Sequence, residues 1–307
     1  MAYIFGPVSS RRLGFSLGVD AVPKKWCSFD CVYCEVGRTT HKSIRVQPLV
    51  KAEAILTDLK KFLSTAGATI DYITIGGSGE PTLNAELGKL VSGIKSLTDI
   101  PVALLTNGSL LYYKRVRHAV REVEVVLPSL DAADEETFRA VNRPHPSLNI
   151  QHVITGLKEL RQEYTGPIWL EVLIVEGLND QLSQIHQLQR VIEQVGPDRI
   201  QLNTAVRPGT EPWIAPLPLK KMEEIKSILG HKAEIVASFS CTDMQKPWVQ
   251  AESRIFNLLR RRPCPADEIA RAIGLSAGEL VPILDRLARE GKIHRHVHGG
   301  KGFYRAI

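Results

Sequence analysis

The chain is short of cysteine, with five in 307 residues, and it has no apolar run of the roughly 20 residues that a membrane crossing needs. Five scattered thiols exclude the dense disulfide framework of a small secreted protein. No stretch ahead of the first cysteine reads as a secretory leader, so a cytoplasmic protein in a reducing compartment is expected. A hydrophobic content of 44% is ordinary for a chain that buries a full core, and the length suits one large domain and one small one.

The most consequential absence is a fourth cysteine. Cys27, Cys31 and Cys34 stand as C-x3-C-x2-C in the segment W-C-S-F-D-C-V-Y-C-E-V-G. Three thiolates at that spacing suit an iron–sulfur cluster held by one loop, with one iron of a cubane left open to another molecule. The competing reading is structural zinc, which usually takes four protein ligands and would have to recruit His41.

After a short apolar stretch, Leu17 to Pro23, helical and strand-like segments alternate. Helices are expected at Ala52–Phe62, Ala85–Leu97, Leu110–Val120, Ile150–Glu163 and Gln181–Val195. Strands are expected at Tyr72–Ile75, Val102–Leu105, Val123–Leu127, Ile168–Val175 and Arg199–Asn203. Repeated βα units with near-continuous apolar strands imply an α/β fold with a parallel sheet. Six strands, counting the stretch before the cysteines, are too few for a closed eightfold barrel.

Polar motifs fall where these strands end, the edge at which parallel α/β folds bind ligands. Gly77-Ser78-Gly79-Glu80 follows the second strand, Asn107 the third, Ser129 and Asp131 the fourth, and Asn203 with Arg207 the sixth. Each also has a plain reading. The glycines make a turn, Asn107 is a turn residue, Asp131 or Asp134 caps a helix that begins at Glu135-Glu136, and Arg207 is a surface arginine before proline. Arg11 and Arg12, ahead of the first strand, are surface charges or partners for an anion.

The cysteine spacing, with Tyr33 just before the last cysteine, resembles the signature of the radical S-adenosylmethionine (SAM) enzymes. The resemblance implies a partial (β/α)6 barrel and a 4Fe-4S cluster on Cys27, Cys31 and Cys34. The open iron would chelate SAM through its amino and carboxylate groups. One electron would then split the sulfonium to methionine and a 5′-deoxyadenosyl radical that takes hydrogen from substrate. It also implies cofactor contacts at Tyr33, near the adenine, and at Gly77, Ser78, Gly79, Glu80, Asn107, Ser129 and Asp131. Arg11, Arg12, Asn203 and Arg207 are then the candidates for substrate contact. A flavodoxin or ferredoxin would supply the electron.

The segment G-P-V-S-S-R-R-L-G-F-S-L-G-V-D resembles the wyosine-synthase-like Fe–S oxidoreductase branch over about residues 1–240. Wyosine enzymes are understood to carry a second cluster. Here only Cys241 and Cys264 remain for one, too few for another cubane, so the wyosine reaction itself is not expected.

The formal net charge is +6, and from Ser253 onward eleven basic residues face five acidic ones, which accounts for the whole excess. Helical spacing at Arg254–Arg261, Ala266–Ile273 and Ala277–Glu290, then alternation around Gly299-Gly300, resembles a winged helix-turn-helix. The expected division is a barrel at 1–236, a linker at 237–252 and a winged helix at 253–307. The basic tail points to tRNA or another nucleic acid as substrate. The alternatives are a radical SAM enzyme acting on a small metabolite or peptide, with the winged helix as docking module, and an Fe–S redox-sensing transcription regulator.

Overall fold

The structure is a computed structural model that describes residues 3–10, 12–65, 70–236 and 251–307. Arg11, Cys241 and nearly all of the expected linker lie outside the described residues.

The amino-terminal part begins with an antiparallel hairpin, β1 (Ile4–Ser10) and β2 (Gly14–Val19). The cysteine segment carries only a two-residue parallel ladder between β3 (Trp26–Cys27) and β4 (His41–Lys42). Then come α1 (Ala52–Thr65), β5 (Tyr72–Ile75), α2 (Leu87–Leu97), β6 (Val102–Thr106), α3 (Lys114–Val120), β7 (Val125–Pro128), α4 (Glu135–Asn142) and α5 (Ile150–Glu163). They are followed by β8 (Trp169–Ile174), α6 (Leu182–Val195), β9 (Arg199–Thr204), α7 (Leu219–Leu229) and β10 (Ala233–Ile235).

Strands run in the order β1-β2-β5-β6-β7, and a second sheet runs β10-β9-β8. Parallel bridges from Val126 to Ile168 and from Ser129 to Glu171 join them. The result is an open arc in which β2, β5, β6, β7, β8 and β9 are the six parallel strands expected of a partial barrel. Strand interiors are buried on both faces, so β5, β6 and β7 read as apolar runs, while helices outside present one stripe each. In α2 that stripe is Leu87, Leu90, Val91 and Ile94, all within the main core.

Several elements escaped the sequence reading, the two-residue β3 and β4 among them. β1 is a pairing partner of β2 with a bulge between Phe5 and Val8, and the bulge breaks the alternation that marks a strand. The short α4 is capped by Asp134, which accepts from Thr137 N at 2.8 Å. α7 and the three-residue β10 extend the arc beyond β9.

The carboxyl-terminal unit comprises α8 (Ala251–Leu259), α9 (Ala266–Ile273), α10 (Ala277–Arg289) and the hairpin β11 (Ile293–His298) with β12 (Lys301–Ala306). This is the winged helix architecture, with α8 starting at Ala251 instead of Arg254. Its core of Ile255, Leu258, Leu259, Ile269, Ile273, Leu280, Leu284 and Leu287 takes in Val8 from β1. The unit is therefore packed onto the hairpin that opens the barrel.

A charged side chain at that shared position should strike the carboxyl-terminal unit hardest. Val8→Asp is expected to cost roughly 3 kcal/mol or more, because an unpaired carboxylate would enter an apolar core. Amide hydrogen exchange should rise across α8, α9 and α10 while α1 and α2 stay protected. Equal protection everywhere would show that the two cores are independent.

Candidate active site

The cysteine loop has almost no secondary structure of its own and is held by its neighbours. Val32 N donates to Val141 O at 3.0 Å and Asp30 N to Asn142 O at 3.0 Å, which pins it to the end of α4. On the other side Lys25 N donates to Ser78 O at 2.7 Å and Glu80 N to Trp26 O at 2.9 Å. Those two bonds tie the entry to the loop directly to the glycine motif. Gly79 is required there by contact, since an added Cβ would lie 2.1 Å from Trp26 O. Gly77 has φ +140, a region that favours glycine, and faces the cavity.

The three thiols are half-buried, and each has a donor from a different element. Lys25 Nζ lies 3.4 Å from Cys34 Sγ, Asn107 Nδ2 3.5 Å from Cys27 Sγ, and Asn142 Nδ2 3.6 Å from Cys31 Sγ. Lys25 and Asn142 were not among the residues singled out from sequence. Asn142 sits in a helix that was itself missed, and nothing in the local pattern marks it. Burial, and then the Glu80 carboxylate, push the Cys27 thiol up to about 12. Burial and the neighbouring Cys34 and Cys27 likewise hold Cys31 well above the ordinary thiol range. Proton loss from such thiols calls for a bound cation to take the charge.

Among the described residues no three His, Cys, Asp or Glu groups converge on a single ion. His41, the candidate fourth zinc ligand, is exposed and stacked on Trp26 with ring centroids 4.7 Å apart. The donor set of three close thiols, each receiving an N–H, therefore fits a three-cysteine cluster better than a zinc site.

Glu80 is 2% exposed and works as a bracket. Its Oε1 accepts from Thr82 N at 3.0 Å and from the Thr106 hydroxyl at 2.7 Å, and Oε2 accepts from Asn107 N at 2.7 Å. Burial raises its pKa, and these donors oppose that rise. The carboxylate thus joins the ends of β5 and β6, and it is already occupied by these donors. Asn107 in turn donates to Ser28 Oγ at 2.8 Å as well as reaching Cys27.

Asp131, a cofactor-contact candidate in the sequence, is engaged by the protein itself. It is 3% exposed and does not line the cavity at the strand ends. Its oxygens accept from the Tyr33 hydroxyl, from Asn142 Nδ2 at 2.7 Å and from Leu173 N at 2.9 Å. Asp131 therefore holds Tyr33 and Asn142 from below. Of the two cap candidates, Asp131 and Asp134, it is Asp134 that caps α4.

A cavity of about 350 Å3 opens at the strand ends. Cys27, Tyr33, Cys34, Gly77, Gly79, Glu80, Asn107 and Ser129 line it, and so do Arg12, Asn203 and Arg207. Ser78 is buried behind the turn. Arg12 pairs with Glu171, which also accepts from Asn203 Nδ2 at 3.2 Å. Glu171 was not anticipated, because it stands within a strand and not at its end. Burial alone would lower the Arg207 pKa, but Glu35 and Glu268 override it and raise it. Its guanidinium lies 3.3 Å from Glu35 and 2.9 Å from Glu268 of α9. Arg207 thus joins the cysteine loop to the carboxyl-terminal unit.

The radical SAM superfamily profile matches residues 22–188, and that of the DprA winged helix domain matches residues 244–299. A UPF0026 protein of Methanocaldococcus jannaschii is 30% identical over 310 residues, covering 99% of this chain and 96% of that protein. A Brachyspira hyodysenteriae protein described as GTPase Obg is 34% identical over 300 residues. The match spans 97% of this chain but 44% of that relative's length. Among solved structures, a radical SAM methyltransferase from Sphaerobacter thermophilus superposes with a TM-score of 0.54 at 16% identity, over 72% of this chain and 65% of that one. At that identity the likeness is one of fold.

Three expectations follow from the geometry. Gly79→Ala should cost about 1–3 kcal/mol by forcing the motif off the Trp26 carbonyl. Gly278→Ala, where an added Cβ meets nothing within 4 Å, should be neutral or mildly stabilising in thermal unfolding. For Asp131, burial raises the pKa from 3.8 to about 6, so the folded state holds that proton more tightly than the unfolded chain. Its contribution to stability is therefore present below pH 3.8 and lost as pH rises through 6. Asp131→Asn should flatten that part of the stability–pH profile, and an unchanged slope would contradict the assignment.

Proposed function

The chain belongs to the radical SAM superfamily, and from that premise we propose that Cys27, Cys31 and Cys34 hold its cluster and that the adjoining cavity takes SAM and part of a nucleic-acid substrate. It is a radical SAM enzyme that uses a 4Fe-4S cluster and SAM. The observation that carries the residue assignment is the bonding of the cysteine loop to the glycine motif beside one shared cavity.

When bound, the cluster supplies one electron that cleaves SAM to methionine and a 5′-deoxyadenosyl radical, the hydrogen-abstracting agent of this chemistry. The chain's own residues do the rest. Cys27, Cys31 and Cys34 are the ligands, and Asn107, Asn142 and Lys25 place N–H donors against their sulfurs, a lever on cluster potential. The Gly77–Glu80 turn offers backbone to the methionine part of SAM. Tyr33, its hydroxyl engaged by Asp131, presents its ring toward the adenine. Ser129 lines the wall where a carboxylate would be met. Leu105, Leu127 and Leu173 line the cavity and exclude water from the radical. The Arg12–Glu171–Asn203 group is the substrate-facing polar surface.

The nucleic-acid substrate, with tRNA the finer form of the reading, draws support from the DprA-like winged helix and the basic excess of its residues. The wyosine-like branch remains part of the proposal for the barrel, without a second cluster. Cys264 is fully buried in the carboxyl-terminal core and bridged to Tyr304, a poor position for a ligand. A flavodoxin or ferredoxin is the proposed electron donor. Among the described residues no helix is long and apolar enough to cross a membrane, and a cytoplasmic setting goes with the reading.

A second reading makes the winged helix a docking module in an enzyme for a small metabolite or peptide. It is favoured by the way the hairpin turns back on the barrel. His298 Nε2 lies 3.0 Å from Ala205 O, and Arg305 donates to Val36 O at 3.1 Å.

Anaerobic reconstitution with iron and sulfide, followed by dithionite and SAM, should yield 5′-deoxyadenosine, and Cys31→Ala should yield none. A fully loaded wild-type protein that makes none would sink the assignment. The full chain should also bind tRNA with an affinity that falls by about 10³-fold or more between 50 and 200 mM salt if six or more phosphates are contacted. Absence of binding at low salt would transfer support to the second reading.

A further inference from the structure

The carboxyl-terminal unit reaches the glycine motif through one side chain. Arg261 follows α8 and is 9% exposed. Its guanidinium lies over the Phe5 ring of β1, 4.2 Å from the centroid. That ring covers Gly18 of β2, where an added Cβ would sit 2.1 Å from it. Arg261 Nη1 donates to Asn257 O at 2.7 Å and Nε donates to Asp20 Oδ2 at 2.7 Å. The other oxygen, Asp20 Oδ1, accepts from Ser78 N at 3.0 Å. Two hydrogen bonds through one buried carboxylate thus link the winged helix to the turn between β5 and α2.

The turn needs that support. Gly76 and Gly77 adopt φ +147 and +140, and glycine has more freedom to leave such a conformation than any other residue. Asp20 also shapes the turn sterically, since a Cβ at Gly77 would lie 2.7 Å from its Oδ1. A carboxylate this buried is costly without a counter-charge. Burial raises its pKa, while Arg261 and Ser78 pull it down. Without the guanidinium, Asp20 would take up a proton or turn toward water, and its grip on Ser78 N would weaken.

We propose that Arg261 is a positioning residue for SAM binding, holding Asp20 against Ser78 so that the SAM site is complete only with the winged helix docked. The proposal rests on the reading that Gly77–Glu80 hold SAM. Docking itself does not hang on Arg261. Arg207 of the barrel pairs with Glu268 of α9, His298 and Arg305 contact the barrel, and Val8 is buried in the helical core. Removing Arg261 therefore separates an effect on the turn from a loss of the unit.

The test uses the full chain, reconstituted anaerobically, with iron and sulfide counted for every variant. SAM affinity is measured by equilibrium dialysis without reductant. Arg261→Ala and Asp20→Asn are each expected to weaken SAM binding roughly tenfold, the scale of one charge-assisted hydrogen bond. The double variant should be no weaker than either alone, and Arg261→Lys should recover part of the loss. Leu284→Ala, a cavity in the same helical core, should lower the unfolding temperature and leave SAM affinity unchanged. Arg261→Ala binding SAM within about twofold of wild type would overturn the proposal. So would full multiplication of the two single effects in the double variant, since they would then act independently. If Gly79→Ala binds SAM like wild type, or an iron-loaded wild type binds none, the reading of the glycine motif falls and this proposal falls with it.

Discussion

Everything at the mouth of this barrel depends on one backbone-to-backbone contact, where the strand entering the cysteine loop lies against the glycine motif. Lys25 N to Ser78 O and Glu80 N to Trp26 O are ordinary hydrogen bonds, yet they join segments some 50 residues apart in sequence. They form only because residue 79 has no side chain to hold the two chains apart. The loop that carries the thiols has little regular structure, so it takes its shape from this pairing and from the end of α4. A cofactor spanning both segments would find their relative position already set, which lowers the ordering cost of binding.

The second determinant is the carboxyl-terminal unit. A winged helix on a catalytic barrel invites the picture of a tethered reader that swings on a linker. The packing supports a different arrangement. Val8 of the first strand belongs to the helical core, Arg261 and Arg262 line the cavity, and Glu268 shares Arg207 with the residue following Cys34. The unit therefore forms one wall of the site.

The parallel arc was legible because a strand buried on both faces must be apolar throughout and its helices must be amphipathic, as Ile73, Leu104 and Val126 in the strands and Leu90 and Ile94 in α2 illustrate. The cysteine spacing and the strand-end positions of Gly77, Asn107 and Asn203 were equally open to reading, because local spacing carries them. What stayed hidden was set by distant contact. Nothing around Asp20, Lys25, Asn142 or Glu171 distinguishes them in sequence, and each has its place through a partner more than 30 residues away or a cysteine reached by folding. Asp131 shows the converse. Its strand-end position matched the pattern for a ligand contact, yet three donors from the protein already occupy it.

Charge is divided between the inside and the outside of this molecule in an informative way. Among the described residues four arginines line the cavity, and each is matched to carboxylate: Arg12 to Glu171, Arg207 to Glu35 and Glu268, Arg261 to Asp20, and Arg262 to Glu268. A guanidinium in a low-dielectric site is tolerable on those terms. The basic excess of the tail is then expressed on the outer surface, at residues such as Arg260, Arg289, Lys292, Arg295 and Lys301, all exposed. Fields of that kind govern approach and long-range attraction, and they are screened over about 8 Å at physiological salt. Inside the cavity, Glu171 is joined to Arg12 and accepts from Asn203. The charge of the outer surface and that of the cavity are therefore carried by different residues, and a change in surface charge should leave the ion pairs of the cavity intact.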